Sequence, residues 1–138
     1  MSEEELKEPT YSVSFWFRKI LVPFDGSGLS KKALALAKDF SYRYGSEVHA
    51  IYVCDVCNDV DRVREEATKI FNKVKFIVRR FDPSDSSVVN ELLKALDEGE
   101  FDAVIVGSKG NSLNTTRVIG SVALSLALEF PGTVIIIR

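Results

Sequence analysis

The sequence has no excess of positive charge and no long hydrophobic run. It carries 18 Lys and Arg residues against 20 Asp and Glu residues among 138, a formal net charge of −2. Proteins that bind nucleic acid generally present a basic surface, and a membrane-spanning helix needs roughly 20 consecutive apolar residues. We therefore expect neither nucleic-acid binding nor a membrane span. The segment Ser2 to Glu8 is acidic and lacks a signal peptide's basic start, which favours a cytoplasmic protein.

Histidine and cysteine are scarce. The sequence holds one histidine, His49, and two cysteines, Cys54 and Cys57. A structural zinc site would need two ligands besides the cysteines. Cys54 continues a predicted strand instead of opening a helix, where a redox thiolate would be stabilised. Reduced structural cysteines are thus the favoured interpretation, with thiol redox chemistry as a weaker alternative. Because no pair of nucleophile and base is recognisable, we predict no catalytic residues.

Two common phosphate-binding motifs are also missing. A Walker-type loop requires Gly, four residues, and then Gly-Lys-Ser/Thr, and no such string occurs. A dinucleotide fingerprint requires three closely spaced glycines, and Gly26-Ser27-Gly28 lacks the third. What the sequence does have is a loop that begins Gly107-Ser108-Lys109-Gly110 and continues through nine residues to Gly120-Ser121.

This glycine-bearing loop joins an apolar run at 103–106 to a helix-like stretch at 122–130. The N-terminus of a helix presents unpaired N–H groups and the positive end of the helix dipole, so it favours anions such as phosphate. Glycines let the backbone approach a ligand closely. The arrangement of strand, loop and helix therefore predicts a phosphate-binding cradle.

Hydrophobic periodicity predicts alternating strands and helices. The expected strands are residues 19–22, 47–54, 75–78, 103–106 and 133–137. The first helix is expected to have Ser30 as its N-cap and Gly45 as its stop, and three more are expected at 59–73, 86–98 and 121–129. Residues 1–14 are expected to be a flexible extension, and residues 15–138 one domain.

This order predicts a three-layer α/β sandwich, because right-handed crossovers place helices on both faces of a parallel sheet. In such sheets ligands bind beyond the carboxyl ends of the strands, at the point where the strand order reverses. If the first and fourth strands flank that point, the loops at 23–28 and 107–120 face each other. Together they would build one site.

Several segments together resemble the universal stress protein family. The string Ile20-Leu21-Val22-Pro23-Phe24-Asp25-Gly26-Ser27 is similar to its first strand and loop, and Tyr52-Val53-Cys54-Asp55 to the end of its second strand. The loop from Gly107 through Gly110 to Gly120-Ser121 matches the G-x₂-G-x₉-G-[ST] signature of its ATP-binding branch. The ending, residues 130–137, also resembles the family's last loop and strand.

The resemblance implies a five-stranded parallel sheet of order 3-2-1-4-5, an adenine nucleotide alpha hydrolase-like fold, with an adenine nucleotide between strands one and four. Pro23 and Val106 would line the pocket, and the Val53 backbone would contact adenine. Asp25 would meet the ribose or a metal-bound phosphate, which makes Mg²⁺ a reasonable companion of ATP. The residues placed against ribose and phosphates are Gly107, Gly110, Gly120, Ser121 and Val122.

Each of these positions has a structural alternative. Asp25 is equally suited to forming a turn with its side chain, and Ser121 to capping the last helix. Lys109 is either a phosphate ligand or a solvated lysine. Phe81-Asp82-Pro83 stands where family members often have Gly-Asp/Asn-Pro, so Phe81 either stacks on adenine or crowds its pocket.

The residues and the resemblance together favour a regulatory protein that binds ATP, with at most slow hydrolysis. The alternative is a homodimeric, stress-related interaction module that binds no nucleotide because Phe81 or the N-terminal aromatic residues close the pocket. Strand five would be an apolar sheet edge, which favours pairing with a second copy. The resemblance likewise implies a homodimer through this strand.

Overall fold

The computed structural model describes residues 9–109 and 119–138. Within these residues, five strands alternate with five helices. The strands are β1 (Lys19–Pro23), β2 (Glu47–Cys54), β3 (Lys75–Arg80), β4 (Ala103–Gly107) and β5 (Thr133–Ile137). The helices are α1 (Pro9–Trp16), α2 (Gly28–Tyr44), α3 (Val60–Ile70), α4 (Val88–Glu98) and α5 (Ser121–Glu129).

The strands form one sheet of order β3-β2-β1-β4-β5, and every neighbouring pair is parallel. This confirms the predicted α/β class and strand order. β1 lies at the centre, paired to β2 on one side and to β4 on the other. The strand order therefore reverses between β1 and β4, and the crevice expected at their carboxyl ends lies at this point.

The core divides into two clusters because successive strand residues point to opposite faces of the sheet. On β1, Ile20 and Val22 pack with α2 and α3, whereas Leu21 packs with α4 and α5. All three side chains are fully buried. Burial on both faces explains why this strand reads as an uninterrupted apolar run.

The start of α2 differs from the prediction. Its N-cap is Ser27, with extended backbone and a side-chain oxygen that accepts a hydrogen bond from the Ser30 N–H at 3.3 Å. The prediction of Ser30 as the cap is wrong because the helix begins at Gly28, with no apolar residue at its first position to mark the start. The predicted stop is confirmed, since Gly45 caps the C-terminus in the left-handed region.

The N-terminal helix α1 crosses the predicted boundary between residues 14 and 15. Residues 9–14 of the expected flexible extension belong to this helix, and residues 1–8 lie outside the described part of the chain. Phe17, just after α1, packs edge-on against Phe40 of α2 at 4.8 Å between ring centroids and stacks on Tyr44 at 6.3 Å. These contacts attach the segment to the end of α2, away from the carboxyl ends of the strands.

The helices of the described residues are short or polar on one face. None of them is long and apolar enough to cross a membrane.

Candidate functional site

A cavity of about 230 Å³ opens at the carboxyl ends of β1, β2 and β4. Most of its lining is apolar, and its polar groups come from the loops after β1 and β4, the start of α2 and one tyrosine of β2. The lining residues are Pro23, Phe24, Asp25, Ser27, Ser30, Ile51, Tyr52, Val53, Val88, Leu92, Val106, Gly107, Lys109 and Val122. An apolar slot with a few convergent polar groups is the usual form of a small-molecule site.

Backbone hydrogen bonds hold the surrounding loops just beyond the strand ends. The Phe24 N–H donates to the Ile51 carbonyl at 2.9 Å, and the Phe81 N–H donates to the Cys54 carbonyl at 3.1 Å. On the other side, the Ser108 N–H donates to the Ile137 carbonyl at 2.7 Å. The sheet thus positions the first residues of each loop, which makes the cavity wall part of the rigid scaffold.

Asp25 forms the turn that the sequence allowed. Its Oδ1 accepts a hydrogen bond from the Ser27 N–H at 2.9 Å, and the intervening Gly26 has a φ of 83°. A positive φ of this size is strained for any residue with a Cβ. Because only Oδ1 is engaged in this turn, the carboxylate both shapes the loop and lines the cavity.

Tyr52 is a polar element of the cavity wall to which the sequence reasoning assigned no role of its own. Its hydroxyl donates to Asp59 Oδ1 at 2.7 Å. Burial raises the pKa of Tyr52 to about 12, and the hydrogen bond to Asp59 and the negative charge on Asp59 and Asp25 act in the same direction. The phenol therefore stays protonated at neutral pH.

The end of β4 packs tightly against the start of α2. A Cβ added to Gly107 would lie 2.8 Å from the Leu29 Cβ, a distance that side chains do not adopt. The loop returns at Gly120, whose N–H donates to the Ser108 carbonyl. This N–H is therefore engaged within the protein. The N–H groups of Ser121 and Val122, at the first positions of α5, have no intrahelical acceptor.

The structure brings six of the nine predicted site residues together around the cavity. They are Pro23, Asp25, Val53, Val106, Gly107 and Val122. Gly120 and Ser121 do not line it but directly precede Val122, as N-cap and first residue of α5. Gly110 lies outside the described residues.

Several lining residues were missed by the sequence reasoning, among them Tyr52, Val88 and Leu92. Val88 and Leu92 are four apart and share one face of α4, so their spacing predicts only burial. Nothing in the local pattern distinguishes a helix face that covers the sheet from one that borders a cavity.

Phe81 does not occupy the cavity. It borders a separate, open depression with Asp55, Arg80, Asp82 and Pro83. The N-terminal aromatic residues are also elsewhere, since Phe15 and Trp16 are exposed and Phe17 packs on α2. Neither group closes the site, contrary to the alternative that the sequence left open.

The cysteines also differ from the prediction. Cys54 and Cys57 form a disulfide, with 5.5 Å between their Cα atoms. The favoured interpretation as reduced cysteines is therefore wrong. Two residues between the cysteines suffice because Cys54 ends β2 and the chain turns immediately after it.

Within residues 9–109 and 119–138, no group of three His, Cys, Asp or Glu side chains is placed to hold a metal ion. His49 lies near the amino end of β2, where its Nε2 contacts Glu47 Oε2 at 2.7 Å. Of the described residues that line the cavity, Asp25 is the one that carries a carboxylate.

Comparison with known proteins identifies relatives along most of the chain. A sequence model of the universal stress protein family matches residues 17–70. These residues include β1, α2, β2 and α3. A universal stress protein of Methanocaldococcus jannaschii is 26% identical, over 78% of this chain and 74% of the relative.

Solved structures share the fold. Universal stress protein UspA from Lactobacillus plantarum superposes with a TM-score of 0.73 at 20% identity, covering 88% of this chain and 98% of that one. A universal stress protein in complex with cAMP gives a TM-score of 0.72 at 20% identity, covering 88% and 97%. The sequence matches and the shared sheet topology agree: the chain is similar to universal stress proteins in sequence, and it has their fold.

Proposed function

We propose that this chain is a cytoplasmic regulatory protein that binds an adenine nucleotide, ATP in the first instance, in the cavity between β1 and β4. The observation that carries the proposal is the cavity itself, an apolar slot with a carboxylate at one side and a helix N-terminus at the other. The cAMP complex of a universal stress protein with the same fold supports an adenine nucleotide as the ligand class.

The chemistry of the lining suits the parts of such a ligand. Val53, Val88 and Val106 offer apolar surface to a planar base. The Asp25 carboxylate accepts hydrogen bonds of the kind that ribose hydroxyls donate. The N–H groups at the start of α5 favour phosphate, with the Ser121 hydroxyl as a further donor.

Mg²⁺ would accompany the triphosphate. Mg²⁺ is usually held by one or two carboxylates together with substrate phosphates, so a protein-only ligand cluster is not required. Asp25, which lines the cavity, would then meet the metal-bound phosphate in place of the ribose. Since the proposal assigns no general base, ATP hydrolysis would be slow at most.

Calorimetric titration of the purified protein with ATP and Mg²⁺ tests the proposal. We expect saturable binding of one nucleotide per chain. Mass spectrometry of small molecules released on denaturation would identify any adenine nucleotide that copurifies. A protein that neither releases a nucleotide nor gives a heat of binding with ATP, AMP or cAMP would overturn the proposal.

Two neighbouring valines provide a matched pair of variants. Val88 lines the cavity and the adjacent Val89 does not, although both lie in the first turn of α4 and are half-buried. Val88→Phe places a larger side chain in the space assigned to the nucleotide, and overpacking costs about 1–3 kcal/mol. We expect ATP to bind roughly tenfold or more weakly to this variant. Val89→Phe should bind ATP as tightly as the wild type. If both variants lost the same affinity for ATP, the cavity would not be the binding site.

A homodimer through β5 is the second part of the proposal. Among the residues that the structure describes, β5 pairs with β4 alone and lies at the end of the sheet, so one of its edges is open there. Leu124 and Leu128 on the neighbouring α5 are 49% and 77% exposed. An open apolar edge beside exposed leucines suits a second copy of the chain, and this arrangement also serves the alternative function as an interaction module.

A further inference from the structure

The disulfide lies directly beside the proposed nucleotide site. Cys54 is the last residue of β2 and is 6% exposed, whereas Cys57 lies half-buried in the loop that follows. The chain has no other cysteine. Val56, between the two, is 68% exposed. An external thiol therefore approaches the Cys57 sulfur more readily than the Cys54 sulfur.

Both ends of the disulfide turn connect to the cavity wall. Val53, which lines the cavity, immediately precedes Cys54. Two residues after Cys57, the Asp59 carboxylate accepts the hydrogen bond from Tyr52, which also lines the cavity. The segment 54–59 is thus a short loop that follows Val53 in the cavity wall. The hydrogen bond between Asp59 and Tyr52 attaches its far end to the same wall.

The strand pairing of β2 does not depend on the disulfide. The disulfide closes a ring of only four residues, and a short ring restricts the unfolded chain less than a long one. β2 is held by backbone pairing to β1 and β3, and the Cys54 carbonyl also accepts the Phe81 N–H. Opening the disulfide would therefore loosen the loop and leave the sheet intact.

We propose that Cys54 and Cys57 form a reversible thiol–disulfide exchange site whose state sets the affinity of the neighbouring cavity. A thiolate of a small dithiol attacks the Cys57 sulfur, the bond between the two protein sulfurs breaks, and Cys54 leaves as a thiolate that takes up a proton. The second thiol of the reductant then displaces Cys57. Two electrons pass to the protein, which gains two thiols, and the dithiol becomes a cyclic disulfide.

The affinity half of this inference rests on the proposed nucleotide function. With the disulfide closed, the loop and the contact between Tyr52 and Asp59 are ordered before a ligand arrives. After reduction, binding has to order them, which weakens it by about three- to tenfold. By linkage, ATP makes the disulfide harder to reduce by the same factor.

The experiment compares the oxidised and reduced full-length protein. The protein is equilibrated in buffers of reduced and oxidised dithiothreitol, free thiols are blocked with iodoacetamide, and the mass increase counts them. Hydrogen exchange reports on the amides of residues 55–59, and calorimetry gives the affinity for ATP. We expect two thiols per folded chain, faster exchange at 55–59, and weaker binding of ATP after reduction.

The variant with Cys54→Ser and Cys57→Ser is the control. It should match the reduced protein in affinity and exchange and should not respond to dithiothreitol; Cys57→Ser alone serves the same purpose if the double variant folds poorly. Two results would overturn the thiol–disulfide exchange site. One is a disulfide that is reduced only when the chain unfolds, and the other is hydrogen exchange at residues 55–59 that is the same in both forms. Equal ATP affinity of both forms would overturn the coupling. If neither form binds ATP, the proposed function fails. The thiol count and the hydrogen exchange at residues 55–59 still decide the redox site.

Discussion

Gly26 illustrates how one residue shapes the loop after β1. Its φ of 83° lies in the left-handed region, and an added Cβ would lie 2.5 Å from Glu66 Oε2. We expect Gly26→Ala to lower the free energy of unfolding by about 1–2 kcal/mol, because a Cβ is strained at this φ. Urea denaturation monitored by circular dichroism measures the change.

Gly28 offers a control two residues away. A Cβ at this position would meet no atom within 4 Å, and Gly28 is the first residue of α2. Gly28→Ala should stay within about 0.5 kcal/mol of the wild type. If both alanine variants lost the same stability, the strain attributed to Gly26 would be wrong.

The sequence indicated part of this loop and missed the rest. Asp25-Gly26-Ser27 is a recognisable turn string, and the structure confirms the side-chain turn. The role of Tyr52 was not predictable, because its partner Asp59 lies beyond the turn that follows β2. Which polar groups meet across a turn depends on the path of the chain.

Between secondary-structure elements, a polar cluster joins β3 to α4. Arg79 of β3 donates to Glu91 at 2.8 Å and to Glu98 at 3.0 Å, and the Ser86 hydroxyl also donates to Glu91. The hydrogen bond from Ser86 and the guanidinium of Arg79 lower the pKa of Glu91 from 4.5 to about 2. The carboxylate is therefore more acidic in the folded than in the unfolded chain.

This shift predicts a pH dependence of stability. Because folding lowers the pKa, ionised Glu91 stabilises the native state above about pH 4.5, and this contribution is lost as the pH falls towards 2. Wild type should be more stable than Glu91→Gln at pH 7, and the difference should shrink between pH 4.5 and pH 2. Urea denaturation at a series of pH values measures the difference.

Ser86→Ala provides a second check on this cluster. Without the hydroxyl, the pKa of Glu91 should rise towards its ordinary value, which a carboxyl titration followed by NMR would detect. A pH-independent difference between wild type and Glu91→Gln, or an unchanged titration in Ser86→Ala, would contradict the assignment.

At the scale of the whole molecule, the proposed dimer depends on the open edge of β5. The Thr133 N–H donates to the Asp102 carbonyl, on the side of β4. Because successive residues of a strand alternate, the N–H groups of Val134 and Ile136 point to the open edge. A dimer formed by pairing of two β5 strands would use these groups.

Ile136→Pro removes one such donor without removing a bond to β4, and proline is tolerated on a strand edge that faces solvent. We expect the wild type to sediment as a dimer and Ile136→Pro as a folded monomer. Ile136→Ala keeps the N–H and loses the side chain, so it is the matched control and should remain dimeric. A monomeric wild type in analytical ultracentrifugation would argue against the dimer; a dimeric proline variant would move the interface away from β5.

The sequence by itself determined the class of fold and the two loops that border the candidate site. Its five apolar runs and intervening helical patterns predict the strands and helices, because strands buried on both faces need continuous apolar residues. The glycine-bearing loop after β4 and the turn after β1 mark the two sides of the cavity in advance. These are local features, so a reading of neighbouring residues finds them.

Only the tertiary structure decided which side chains share the cavity, which N–H groups are engaged and whether the two cysteines are bonded to each other. Val88 and Leu92 join the site because α4 crosses the sheet above β2, and the Gly120 N–H is occupied because its loop returns to Ser108. Phe81 stays outside because the chain turns away after β3. Such contacts follow from how the elements pack in space, which the spacing of residues along the chain does not encode.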